Sequence, residues 1–232
     1  MDKTARQGVP AIMSTFDLII FDCDGVVVDS EILSCGCLLT LLRQHEIEID
    51  LAEVYQRFLG RNYQTIVDQY QVCRNEPVPG DFRAKWEAAI RLAFSASLAA
   101  MPGVIDLLKS LKTPVCIASS SDLDRVTFSL SLAKLSEFFD GHVFTSQMVK
   151  HGKPAPDLFL HAAGVMGVSP ERALVIEDSV AGVIAAKAAG MTAWGFIGGA
   201  HYAGREGAAA LQASGAAQVF DKMIDLKRSL VP

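Results

Sequence analysis

The chain has 232 residues, half of them apolar, with a formal net charge of −5 and a pI near 5.5. That length allows a full hydrophobic core in one large domain, or one domain with a smaller one inserted. The acidic balance argues against nucleic acid or an anionic membrane surface as the main partner, and no run of about 18 apolar residues marks a spanning helix.

In chain order, residues 1–15 read as a loose leader with scattered charges and no apolar signal core. The apolar run 16–21 reads as a buried strand that ends in Asp22-Cys23-Asp24-Gly25. Side chains alternate along a strand, so Asp22 and Asp24 point to one side before Gly25 breaks it. Two anions so placed raise each other's pKa and call for a cation or a reaction. Residues 31–97 carry helical patterns only, at 32–43, 51–59, 63–70 and 81–98.

Beyond residue 98 the pattern alternates. Short apolar runs at 114–118, 142–145, 173–177, 192–196 and 218–220 read as strands, and 104–111, 124–132, 157–166 and 180–189 as helices. Pro102-Gly103 opens one helix, Asp157 and Ser179 cap two more, and Gly190 closes the last. Residues 198–217 read as a mobile loop and a helix. The fold expected is α/β: a Rossmann-like, doubly wound parallel sheet core over 16–30 and 98–232, with an inserted α-helical cap over 31–97. The insertion follows the carboxylate-bearing strand, so it is placed above the strand ends where open α/β sheets bind ligands.

The other strand ends are also polar. Ser119, Ser120 and Ser121 follow one strand, Glu177 and Asp178 end another, and Lys153 stands in Gly152-Lys153-Pro154. A parallel sheet brings these ends to one edge beside Asp22. Asp22, Asp24, Glu177 and Asp178 cannot all ionise together without a counterion, and Mg²⁺ suits an all-oxygen set. Lys153, the hydroxyls and backbone N–H groups at Ser119 and Ser120, and such an ion suit a phosphoryl group. A calcium loop is excluded, because its fifth and twelfth positions are Val26 and Leu33. No Gly-x-Gly-x-x-Gly follows the first strand, which counts against a dinucleotide site. Cys23, Cys35, Cys37, Cys73 and Cys116 have no metal-site spacing, and their odd number suggests reduced thiols and a cytoplasmic address.

Four motifs occur in order: Asp-x-Asp-Gly-x-x-x-Asp-Ser, the serine after the second strand, Gly-Lys-Pro-x-Pro-Asp and Glu-Asp-Ser-x-x-Gly. With them, residues 16–228 resemble the haloacid dehalogenase-like hydrolase superfamily, in its β-phosphoglucomutase-like, sugar-phosphatase branch with an α-helical cap. The resemblance implies a Mg²⁺-dependent phosphatase of a small phosphorylated metabolite, a sugar or sugar-acid phosphate, acting through an aspartyl-phosphate. It implies Asp22 as nucleophile and metal ligand, and Asp24 as acid/base with its carbonyl on the metal. Ser119 would bond the phosphoryl group, Lys153 would steady Asp22, Asp178 would ligate the metal, and Glu177 would do so directly or through water.

Dehalogenases of the superfamily lack the second acid, which Asp24 supplies here. Mutases of the branch carry a histidine where this chain has Ser34, so the mutase is the runner-up, followed by a non-catalytic phosphometabolite-binding protein. Arg61, Asn62 and Gln64, together with Ser120, are the candidate substrate contacts. Lys85 and Trp86 read as structural. Ser121 and Asp122 read as capping residues, Asp29 and Ser30 equally as caps or substrate contacts, and His201 as an exposed loop residue.

Overall fold

A computed structural model describes residues 16–231 apart from 60, 62, 140 and 205. The leader read over 1–15 therefore lies outside the described residues, as does Asn62. The strands are β1 (Leu18–Phe21), β2 (Val115–Ser119), β3 (Val143–Thr145), β4 (Ala173–Glu177), β5 (Thr192–Phe196) and β6 (Gln218–Phe220). All pair in parallel, in the order β3-β2-β1-β4-β5-β6. β1 is central, with β2 on one side and β4 on the other. The strand order reverses there, which opens a crevice at its carboxyl end.

The strands alternate as a sheet covered on both faces requires. Ile19, Phe21, Ile117, Leu174 and Ile176 pack into one apolar layer, and Leu18, Ile20, Cys116, Ala118 and Val175 into the other. The first layer is closed by α5 (Val104–Ser110), α6 (Leu123–Leu132), α7 (Ser136–Phe139) and α11 (Met223–Leu230). The second is closed by α8 (Asp157–Val165), α9 (Val180–Ala188) and α10 (Ala208–Ala213). The fold is thus the doubly wound α/β arrangement expected. A fully buried side chain such as Phe159 or Phe196 contributes roughly 1.5–3 kcal/mol of burial to these layers.

Between β1 and β2 run α1 (Glu31–Gln44), α2 (Leu51–Phe58), α3 (Tyr63–Arg74) and α4 (Phe82–Ser97). They share an apolar cluster of their own, built on Leu38, Leu42, Val54, Phe58, Ile66 and Phe82. A capping box starts α2: Asp50 accepts from the Glu53 N–H, and Glu53 accepts from the Asp50 N–H.

Some local readings differ from the structure. Asp157 is the first residue of α8 rather than its cap, and its carboxylate meets His151 Nδ1 at 3.1 Å. Ser179 does cap α9, accepting from the Gly182 N–H at 3.0 Å. Gly190 has φ +77°, the left-handed conformation that ends a helix. The short helices α7 and α11 have no counterpart in the sequence reading. Both are held by burial of a few residues, Phe139 in one and Met223 and Leu226 in the other.

Candidate active site

Asp22 continues β1 by one residue, its N–H donating to the Ile176 carbonyl at 3.0 Å. Gly25, at φ +80°, then turns the chain, and the Val27 and Val28 N–H groups fold back on the Cys23 carbonyl. Val26, Val27 and Val28 are fully buried, so the loop carrying both aspartates is pinned by apolar contact on its far side. A Cβ at Gly25 would overlap the Asp178 carboxylate, so only glycine lets the two loops approach this closely.

Lys153 is the hub. Its buried ammonium donates to Asp22 Oδ1 at 2.6 Å, Glu177 Oε1 at 2.6 Å and the Ala118 carbonyl at 2.9 Å. Burial alone would lower the lysine pKa, but Asp22 and Glu177 raise it, so the proton stays. Glu177 Oε2 accepts from the Ser179 N–H at 2.8 Å and hydroxyl at 3.0 Å. A Cβ at Gly182 would overlap the same carboxylate.

Asp24 faces a different set. Its carboxylate accepts from Ser30 Oγ at 2.5 Å, Ser121 Oγ at 2.7 Å and Arg125 Nη2 at 3.2 Å. Arg125 Nη2 also donates to Ser34 Oγ at 2.8 Å, which ties α6 to α1. Burial works upward on the Asp24 pKa, but Arg125 and the two hydroxyls outweigh it and hold the group below the usual carboxylate range. Asp22 and Asp178 go the other way. Burial raises both strongly, Glu177 adds to it, and Lys153 opposes it.

These partners decide what a cation could use. The Lys153 ammonium is bonded to Asp22 and Glu177 and not to Asp178, and the repulsion left among these carboxylates is the charge that a hard divalent ion would relieve. Asp22 and Asp178 therefore fit Mg²⁺. Among the described residues no three His, Cys, Asp or Glu side chains converge at metal-ligand spacing. The Asp24 carboxylate is turned to Arg125 and the serines, and both Glu177 oxygens are taken by Lys153 and Ser179.

A cavity of about 430 Å³ opens above these groups. Asp22, Asp24, Ser119, Ser120, Lys153, Glu177 and Asp178 line it from the sheet edge. Arg61, Tyr63, Arg83, Trp86, Phe94 and others line it from the helices between β1 and β2. Ser119 Oγ accepts from the Ser121 N–H at 3.0 Å, and the Ser120 carbonyl accepts from Ser146 Oγ at 2.9 Å. Gln64 is exposed, bonds Asp68 at 2.8 Å along α3 and stays outside the cavity wall. Trp86, read as structural, does line the cavity, its ring stacked on Tyr63.

Several residues at the site escaped the sequence reading. Ser121 precedes the N-cap position of α6 and donates its hydroxyl to Asp24 rather than capping the helix. Asp122 holds the N-cap position of α6 without a cap bond, and its carboxylate pairs with Arg83. Arg125 carried a signal: a cation in the first turn of a helix faces the wrong end of the helix dipole and implies a partner elsewhere. His201 is buried, not exposed, with Nε2 at 3.2 Å from Asp178 Oδ2. Its signal was the Gly198-Gly199 pair just past a strand end. Glu31, first in α1, has its pKa pushed up to about 8 by burial, Asp24 and Asp178.

A doubly wound sheet with a lysine-bridged aspartate at the switch point defines an α/β fold with a charged site at the strand ends. The chain belongs to the haloacid dehalogenase-like hydrolases, whose family model matches residues 16–190. It is 28% identical over 190 residues to 6-phosphogluconate phosphatase of Escherichia coli, covering 82% of this chain and 86% of that protein. It is 35% identical over 190 residues to a probable pseudouridine-5′-phosphatase of Drosophila melanogaster, covering 74% and 78%. A HAD family hydrolase of Deinococcus radiodurans, solved with bound phosphate and sodium, superposes with TM-score 0.75 at 34% identity, over 94% and 96% of the two chains.

Proposed function

We propose that the chain is a Mg²⁺-dependent phosphatase that hydrolyses a small phosphorylated metabolite, a sugar or sugar-acid phosphate, through an aspartyl-phosphate on Asp22. The observation that carries this reading is Lys153 Nζ held between Asp22 and Glu177 at the end of the central strand. The lysine leaves Asp22 Oδ2 as the oxygen for attack and supplies fixed positive charge beside the incoming phosphoryl group. The Escherichia coli relative is named for 6-phosphogluconate and the Drosophila one, a probable phosphatase, for pseudouridine 5′-phosphate, in agreement with a common phosphoryl site and a variable remainder.

In the first half-reaction an Asp22 carboxylate oxygen attacks phosphorus, the P–O bond to the leaving group breaks, and that oxygen takes a proton from Asp24. In the second, Asp24 takes a proton from water, the hydroxide attacks phosphorus, and the Asp22 carboxylate leaves with inorganic phosphate as product. Ser119 and backbone N–H groups beside it bind phosphoryl oxygens. Asp22, Asp178 and the Asp24 carbonyl would hold Mg²⁺, which when bound neutralises charge on those oxygens. We read α1–α4 as the cap that closes the cavity and supplies the leaving-group contacts, Arg61 among them.

At the mutase-diagnostic position, Ser34 is occupied with Arg125 and the Ser30 carbonyl, and it gives the mutase reading no acid or base. Among the described residues no helix is long and apolar enough to cross a membrane. The five free cysteines agree with the reducing cytoplasm that we assign to the chain.

The test is an acid-quenched turnover reaction with Mg²⁺ and a phosphate monoester, read by intact mass. Wild type carries one added phosphoryl group. Asp22→Asn carries none and hydrolyses no substrate while its folded spectrum is retained. Turnover by Asp22→Asn near the wild-type rate rejects the proposal.

A further inference from the structure

We infer that His201 is a positioning residue for Asp178, setting its carboxylate in the orientation that binds a divalent cation. The inference rests on the reading of Asp178 as a metal ligand. His201 sits in the 3₁₀ turn Ala200–Tyr202, which follows β5. It is 2% exposed, with Nε2 3.2 Å from Asp178 Oδ2. Its neighbour Tyr202 donates its hydroxyl to the Asp178 carbonyl, so one turn grips this residue at both side chain and backbone. The two rings pack at 4.4 Å between centroids.

The room for the imidazole is built from glycine. A Cβ at Gly199 would stand 2.6 Å from His201 Cε1, and one at Gly25 would stand 3.0 Å from the same atom. The turn is also fastened to the loop after β1, where the Ala200 N–H donates to Asp29 Oδ1 at 3.1 Å. Residues 199–202 thus strap together the two loops that carry Asp22 and Asp178. Outer partners of a ligating group fix its orientation, and their loss costs metal affinity.

The test is Mn²⁺ titration of the substrate-free protein followed by electron paramagnetic resonance, with Mn²⁺ standing for a hard divalent ion. Wild type, Asp178→Asn, His201→Leu and His201→Gln are compared, and melting in EDTA checks each fold. His201→Leu should bind Mn²⁺ about 10–100-fold more weakly. His201→Gln, whose amide N–H reaches the place of Nε2, should return to within about threefold of wild type. If His201→Leu does not fold, His201→Asn takes its place, since its shorter amide falls short of Asp178. Wild-type affinity in His201→Leu, or equal weakening in the Leu and Gln variants, overturns the inference. Unchanged affinity in Asp178→Asn rejects the ligand reading itself and the inference with it.

Discussion

Arg125 Nη2 donates to Asp24 Oδ1 at 3.2 Å across 101 residues of chain, so a helix on the far side of β2 sets the charge of the loop after β1. In the proposed reaction Asp24 serves as acid and then as base. The Arg125 contact favours the base form. Arg125→Met should let the Asp24 pKa rise, because burial then acts without the guanidinium. The acidic limb of the kcat profile should move to higher pH, and kcat at neutral pH should fall by about tenfold. A profile superimposable on wild type would show that Arg125 does not govern Asp24.

Asp24→Asn removes the proton carrier and keeps the shape. Turnover of an alkyl phosphate should fall on the order of 10²–10⁴-fold. An activated aryl phosphate, which needs less leaving-group protonation, should lose less in its first half-reaction. Pre-steady-state release of the phenol measures that difference. Equal losses for both esters would argue against Asp24 as the acid.

Lys153→Met should unfold more easily. The Lys153 side chain is 3% exposed, and its ammonium lies between two buried carboxylates. Removing it leaves Asp22 and Glu177 facing each other, a loss of about 3–5 kcal/mol at neutral pH. Burial already raises the Asp22 pKa, and without the ammonium that opposes it the folded variant binds more protons at Asp22 than the unfolded chain. Stability of the variant should therefore recover as pH falls towards about 5. Urea midpoints in EDTA at the two pH values give the answer, and a constant deficit would contradict the charge explanation.

Gly182→Ala tests space alone, since a Cβ there would overlap the Glu177 carboxylate. It should cost about 1–3 kcal/mol and lower kcat, because Glu177 anchors Lys153. Gly164→Ala, on α8 with nothing within 4 Å of the new Cβ, is the control and should be neutral or stabilising by up to about 1 kcal/mol. Thermal melts of both variants decide it; equal effects would remove the steric argument.

Glu31 supplies a pH signature. Its folded pKa of about 8 lies above the unfolded value, so the native chain keeps a proton that the unfolded chain has released. That residue's contribution to stability must fall as pH rises from about 4.5 to about 8. Glu31→Gln removes the effect. In EDTA its Tm should match wild type near the low end and exceed it near the high end. A difference that does not grow with pH would place Glu31 in a more solvated setting.

All six strands and the helices of the four best-marked βα units could be read in the sequence, because each depends on patterns a few residues long. Strand alternation and the stops at Gly25 and Gly190 are of this kind. So is the gathering of Asp22, Ser119, Lys153 and the Glu177–Asp178 pair, since a parallel sheet brings every strand end to one edge. Which group partners which was decided by tertiary packing alone. Lys153 reaches Asp22 over 131 residues of chain, and no local pattern encodes such a contact. Packing also turned the Asp24 carboxylate to Arg125, tied Glu177 to Lys153, buried His201 against Asp178 and left Gln64 exposed on α3. The physical reason is range. Backbone and apolar periodicity act over a few residues, whereas the pairing of buried charge depends on whatever the whole fold brings within about 3 Å.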